Sequence, residues 1–139
     1  MRLLDANVIV RVLTNDVPAM ADAARTLFDR IEAGEEEVEL LEATVAEVVY
    51  VLGSRANYNR SREWITDRLI SLLAIAGFRM EHKSRCVHAL ELFAATRAIS
   101  FADALIAAAA LEQTPSEVYS FDPGFDRIDG LTRIEPVAS

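Results

Sequence analysis

The chain has 139 residues, 52% of them hydrophobic and 26% charged, and a formal net charge of −8. That length suits one domain with a sizeable core, expected to span residues 1–139, and the apolar content excludes a disordered chain. One cysteine, Cys86, excludes a disulfide framework, no apolar run is long enough to span a bilayer, and Asp5 interrupts the N-terminus too early for a signal peptide; a cytoplasmic protein with no membrane association is expected.

The opening Arg2-Leu3-Leu4-Asp5 is a short apolar run suited to a buried strand that ends at Asp5. Helical spacing runs from about 18 to 33, with Ala23, Ala24, Leu27, Phe28 and Ile31 on one face, and Gly34 stops it. The stretch VELLEA predicts a second strand, and residues 44–52 predict a helix ended by Gly53. Two further helical segments, 61–76 and 84–96, flank a short strand near 78–81. A helix then runs from Phe101 to about Gln113, EVYSFD is a strand, PGFDRI a turn or short helix, and LTRIEP the last strand. No repeat, low-complexity stretch or Pro/Gly-rich linker breaks this order. Strands alternating with helices predict an α/β fold with a mainly parallel sheet, and right-handed crossovers put helices on both of its faces.

The negative charge is unevenly spread. Residues 29–42 hold seven acids and one base, which reads as a solvated acidic turn. Without that run and four acids discussed next, the remainder of the chain sums to +2. The acidity does not exclude a polyanionic ligand, but it lends no support to avid non-specific binding of nucleic acid.

Four acids share a setting. Asp5 closes the first strand, and Asp122 ends the EVYSFD strand just before Pro123. Glu47 in Thr44-Val45-Ala46-Glu47 and Asp103 in Ser100-Phe101-Ala102-Asp103 complete S/T-x-x-D/E boxes at expected helix starts. Each acid taken alone reads equally as part of a helix cap. Taken together, strand ends and the first turns of returning helices share one edge of a parallel sheet, where α/β folds bind ligands. Carboxylates gathered there would repel unless a cation were bound or protons taken up. All-oxygen ligation suits Mg²⁺, with Mn²⁺ as a substitute; zinc fits poorly, because His82 and His88 lie away from every acidic motif. Such a site suits phosphodiester hydrolysis by metal-activated water, leaving a 5′-phosphate and a 3′-hydroxyl. The sequence shows no serine triad, catalytic-cysteine arrangement, phosphate-cradling G-x-x-x-x-G-K loop or dinucleotide fingerprint.

In this order and spacing the motifs resemble the PIN-domain family. LLDANVIV resembles the family's opening strand with its acid and nearby Asn, and ATVAEVVYVL its glutamate-bearing helix. ISFADALIAAAA resembles the helix of the third acid, and VYSFDPGFDRI the final strand with its acid. The resemblance covers essentially the whole chain, and a bare domain of this length is most similar to the VapC ribonuclease toxins of type II toxin–antitoxin pairs. It implies a three-layer α/β/α sandwich and a Mg²⁺-dependent endoribonuclease acting on single-stranded or loop RNA. It implies that Asp5, Glu47, Asp103 and Asp122 are the catalytic, metal-holding set, with Asn7 and Ser120 as polar supports. Asp126 is a reserve ligand, and Ala6 departs from the Thr or Ser often found at its position. A cognate VapB-like antitoxin, lying in a hydrophobic groove and blocking the acids with a basic side chain, and a homodimer are also implied.

The stretch RANYNRSR combines Arg55, Arg60 and Arg62 with Tyr58. Arginines that hold phosphate beside a tyrosine that stacks on a base suit single-stranded RNA, and Arg11, near the first acid, fits the same use. These residues also read as a polar interhelical loop with arginines near a helix C-terminus. The apolar side chains over 64–78 read mostly as core, and the helices around 44–76 as the place of the antitoxin groove. Two rival readings stand beside the nuclease. An aspartate-nucleophile phosphatase of the haloacid dehalogenase type needs a second acid two residues after the first, where Asn7 stands, and a lysine; the one lysine, Lys83, adjoins no acidic motif. A non-catalytic PIN-like binding module would use the acids only as caps.

Overall fold

Every strand pair is parallel in the computed structural model, which describes residues 1–139. Parallel strands cannot be joined by a tight hairpin, so helices carry the connections, and the chain adopts the expected α/β class. Six α-helices and five short strands divide between two compact units, Met1–Lys83 and Ser84–Ser139. The sheet expected from the sequence is hydrogen-bonded as two ladders, one in each unit.

In the first unit β1 (Arg2–Leu3) pairs with β2 (Val38–Leu40), and β2 with β3 (Phe78–Met80), leaving β2 central. Val38 and Leu40 are buried while Glu39 is exposed, the period-two alternation of a strand with one face on the core. Helices α1 (Ala6–Thr14) and α2 (Pro18–Glu32) connect β1 to β2; α3 (Glu42–Gly53) and α4 (Arg62–Leu73) connect β2 to β3. The expected order contains no element between 6 and 17, yet Ala6–Thr14 is helical. Its β-branched residues lower helix propensity by only tenths of a kcal/mol each, to about 0.7 at most. Burial of Ala6, Ile9 and Val10, a stripe at i, i+3 and i+4, outweighs that cost. Asn15 then ends the helix in the left-handed region, with φ 55° and its N–H on the Arg11 carbonyl.

Helix α2 starts with Pro18 and gives way to Gly34 at φ 81°, as expected, though Ala23 on its expected inner face is exposed. The Phe28 ring meets Phe78 edge-on, with centroids 5.0 Å apart. Gly77 lets β3 approach the end of α2: a Cβ there would lie 2.6 Å from Ile31 Cγ2 and 2.8 Å from the Ile31 carbonyl oxygen.

In the second unit α5 (Lys83–Ala95, joined at its first residue to the first unit) and α6 (Phe101–Leu111) precede β4 (Glu117–Tyr119), which pairs with β5 (Thr132–Ile134). A 3-10 helix over Pro123–Arg127 lies between the two strands in sequence and packs on β5. Helix α6 buries Phe101, Ala104, Ala107 and Ala108, a mostly small-residue stripe, and packs on β4. Both strands that carry candidate acids are shorter than expected: β1 stops at Leu3 and β4 at Tyr119. No helix is long and apolar enough to cross a membrane.

The substitution Gly77→Ala is expected to destabilise the protein by about 1–3 kcal/mol through overpacking against Ile31, against the ~0.4–1 kcal/mol that Gly→Ala contributes at a permissive site. Urea unfolding checks this, and an unchanged or higher midpoint would refute the close approach.

Candidate functional site

Asp5 and Glu47 lie in the first unit. Asp5 stands two residues beyond β1, outside the strand it was expected to close, and is the N-cap residue of α1 with φ −83° and ψ 148°. Its side chain makes no capping hydrogen bond, and its carboxylate is exposed at the positive end of the helix. Glu47 is displaced from its expected place as well. Helix α3 begins at Glu42, because the Leu41 carbonyl accepts from the N–H groups of Thr44 at 3.0 Å and Val45 at 3.3 Å. Glu42 also suits a first turn, where an acid complements the helix dipole. Thr44 is therefore inside the helix, the expected Thr44–Glu47 box does not form, and Glu47 is exposed on the second turn.

Asp103 and Asp122 lie in the second unit. Ser100 caps α6 as expected, its Oγ accepting from the Asp103 N–H at 3.1 Å. The serine hydroxyl does the capping, and the half-buried Asp103 carboxylate is not needed for it. Asp122 is three residues past β4 rather than at its end, and caps the 3-10 helix: its Oδ1 accepts from Gly124 N–H at 2.8 Å, with Pro123 in the first position. Its own N–H donates to Ser120 Oγ at 2.9 Å. Only glycine fits at 124, since a Cβ would lie 2.8 Å from the Ala98 carbonyl oxygen. Asp126, the reserve ligand, has both oxygens engaged by Arg133, Nε to Oδ1 and Nη2 to Oδ2, each at 3.1 Å. That bidentate pair holds the Asp126 carboxyl below the usual aspartate range, and Arg133 Nη1 also donates to the Ser120 carbonyl at 3.1 Å.

Within neither unit do three His, Cys, Asp or Glu side chains stand close enough to hold a metal ion. A Mg²⁺ ion, however, takes only one or two carboxylates directly and keeps several waters. Asp5, Glu47 and Asp103 enter no salt bridge, and hard oxygen donors of this kind fit Mg²⁺ or Mn²⁺. Asn7 is exposed in the first turn of α1.

The residues singled out for RNA contact divide by what else holds them. Tyr58 and Arg11 come together: the Tyr58 hydroxyl donates to Asp16 Oδ2 and accepts from Arg11 Nη1 at 3.4 Å. Arg11 Nη1 also reaches Asp16 Oδ1 at 3.3 Å, and Thr14 Oγ1 donates to that oxygen at 3.0 Å. The loop after α3 is thereby clasped to the end of α1. Arg60 and Arg68 lie over the Trp64 ring at 4.7 and 4.5 Å from its centroid. Arg62 opens α4 behind the Ser61 cap, and Arg55 is exposed in the turn. Thr14 and Asp16 carry no motif and become visible as partners only once α1 is known to end beside them.

A groove of 520 Å³ is lined by Asn7, Val8 and Arg11 of α1 and by Met20, Ala23, Ala24 and Leu27 of α2. It lies N-terminal to the 44–76 helices on which a groove was expected. Arg11 Nε is buried in its neighbourhood without a hydrogen-bond partner.

The family model of the PIN domain matches residues 2–131, reaching across both units. The chain belongs to the PIN domain family. Among curated proteins none matches it significantly. PIN domains are in general metal-dependent nucleases, and such nucleases bind RNA.

Tyr58, first, and then Thr14 and Arg11 hold the Asp16 carboxyl below its usual range, against an opposing effect of desolvation. A depressed folded-state value contributes stability above the unfolded-state pKa, which is lost as pH falls through the folded value. Tyr58→Phe is therefore expected to move the acid-unfolding midpoint, followed by circular dichroism, to higher pH. An unmoved midpoint would show that the clasp is not coupled to folding.

Proposed function

We propose that this PIN domain is a cytoplasmic Mg²⁺-dependent endoribonuclease, the toxin of a type II toxin–antitoxin pair, and that both units form one domain in which Asp5, Glu47, Asp103 and Asp122 hold the cation. The observation that carries this reading is the division of labour at the helix starts. Backbone groups and Ser100 do the capping, while the carboxylates of Asp5, Glu47 and Asp103 have no structural duty. Carboxylates without partners at such positions are what a non-catalytic module, with acids serving only as caps, does not need. The phosphatase alternative is not retained, since Asn7 stands where its second acid is required and the family is a different one.

When bound, the cation supplies Lewis-acid activation of a water nucleophile and charge neutralisation at the scissile phosphate. Asp5, Glu47 and Asp103 provide hard oxygen donors. Asp122, with Oδ1 fixed by the Gly124 N–H, offers its second oxygen from a restrained side chain, and Ser120 holds the backbone from which it projects. Asn7 supports a carboxylate or water by hydrogen bonding. Asp126 is assigned to Arg133 rather than to the cation. The toxin reading is supported by the resemblance to VapC and by the α1–α2 groove, whose apolar lining suits a helix of a VapB-like antitoxin. A homodimer belongs to the same reading.

Cleavage of mixed RNA by the pure protein in Mg²⁺, abolished by EDTA, is the basic test. Two neighbouring variants separate capping from chemistry. Ser100→Ala is expected to lower stability by about 1 kcal/mol and keep cleavage. Asp103→Asn is expected to keep stability and lose more activity than the ~10–100-fold typical of an outer-shell partner. Equal activities for the two variants would remove Asp103 from the site, and growth arrest relieved by a co-expressed neighbouring small gene would test the toxin role.

A further inference from the structure

Tyr119 and Phe121 keep 76% and 69% of their surface exposed. Apart from Tyr50 they are the only aromatic rings so displayed, whereas large rings normally bury most of their area. The two residues bracket Ser120 immediately before Asp122, Tyr119 at the end of β4 and Phe121 in the bend that follows it. We propose that Tyr119 and Phe121 form a stacking platform for two bases of single-stranded RNA, delivering the strand to the acidic site. This inference rests on the nuclease reading given above and adds how that site takes hold of its substrate.

The backbone beneath the rings is held on several sides. Ser120 N–H donates to the Ile134 carbonyl at 3.1 Å, and Ser120 Oγ accepts from the Asp122 N–H at 2.9 Å. Arg133 Nη1 donates to the Ser120 carbonyl at 3.1 Å, and Asp122 Oδ1 accepts from the Gly124 N–H at 2.8 Å. The Phe121 ring thus projects from a fixed segment, and a preorganised platform loses little conformational entropy when a base lands on it. A protein partner fits the pair less well. Two rings supply about 150–250 Å² each, short of the ~800 Å² per partner of a stable interface. Their sequence neighbours Glu117, Ser120 and Asp122 are polar. Bases need only ring faces, and stacking does not depend on net positive charge.

The test is fluorescence anisotropy of a short labelled single-stranded oligoribonucleotide of mixed sequence, with the full chain in EDTA to prevent cleavage, beside an abasic oligomer of equal length. Tyr119→Ala and Phe121→Ala are each expected to weaken binding of the base-bearing strand by roughly 5- to 150-fold. Phe121→Trp is expected to retain affinity. The abasic strand is expected to bind weakly and alike to all variants, with the salt dependence unchanged because no cation is removed. Both rings are exposed, so melting temperatures of the variants are expected to match the parent and exclude misfolding. Unchanged RNA affinity in Tyr119→Ala/Phe121→Ala, with the parent binding and cleaving RNA, overturns the platform and leaves the nuclease. A variant that changes oligomeric state by light scattering while keeping RNA affinity also overturns it, assigning the rings to a contact between copies. A parent that neither binds nor cleaves RNA overturns the nuclease reading itself.

Discussion

The constraint from which the arrangement follows is parallel strand pairing. Each ladder, β1–β2, β2–β3 and β4–β5, is parallel, so no strand can turn back on its neighbour, and helical structure must follow it. That requirement puts helix N-termini directly after strand ends: α1 after β1, α3 after β2, and the 3-10 helix after β4. Three of the four acids occupy these junctions or the turn just beyond them, with Asp5 and Asp122 as N-cap residues and Glu47 one turn into α3. A helix N-terminus carries partial positive charge, so a carboxylate there is favoured even with no cation present.

How those helix starts are capped decides what the acids are available for. At α6 a hydroxyl from Ser100 satisfies the N–H, and at α3 the Leu41 carbonyl does so. Among the four acids, Asp122 alone caps with its own carboxylate, one oxygen on Gly124 and the other uncommitted. Arg133 then organises the turn around it, taking both oxygens of Asp126 and the Ser120 carbonyl in one guanidinium. A bidentate pair of this sort restrains a segment more strongly than a lysine could, because the guanidinium fork fixes both distance and plane. The first unit uses Arg11 comparably, linking Asp16 to Tyr58, 42 positions further along the chain.

Features set by neighbours in sequence were legible there. Pro18 and Gly34 bound α2, Ser100 accepts from the residue three ahead, and Asp122-Pro123 opens a short helix, all from local chemistry. Helix α1 was not legible, because ANVIVRVLT has the β-branched composition of a strand and is helical only through burial of one stripe. The Thr44 box failed for a related reason: Glu42 and Ala43 also favour helix, and the earlier start places Thr44 inside. The position of the groove depends on α1 and could not precede it. Arg11, Tyr58 and Arg60 illustrate the limit for side chains, since composition reveals a cation or a ring but not the Asp16 or Trp64 that engages it.

The acidity of the chain bears on how a PIN domain of this charge can take a polyanion. Part of the negative run is neutralised internally, with Glu36 paired to Arg2 at 3.4 Å and to Arg30 at 2.9 Å, and Glu37 to Arg79 at 3.4 Å. Arg11 and Arg133 are likewise engaged by acids. A net charge of −8 gives no support to the counterion-release affinity that dominates basic nucleic-acid binders. On the proposed nuclease reading, contact with RNA would rest on features that need no positive field: carboxylates that would hold a divalent cation, and exposed rings on which bases would stack. Such contacts act over short range and on particular atoms, so on that reading general avidity is exchanged for dependence on the local shape and unstacked bases of an RNA.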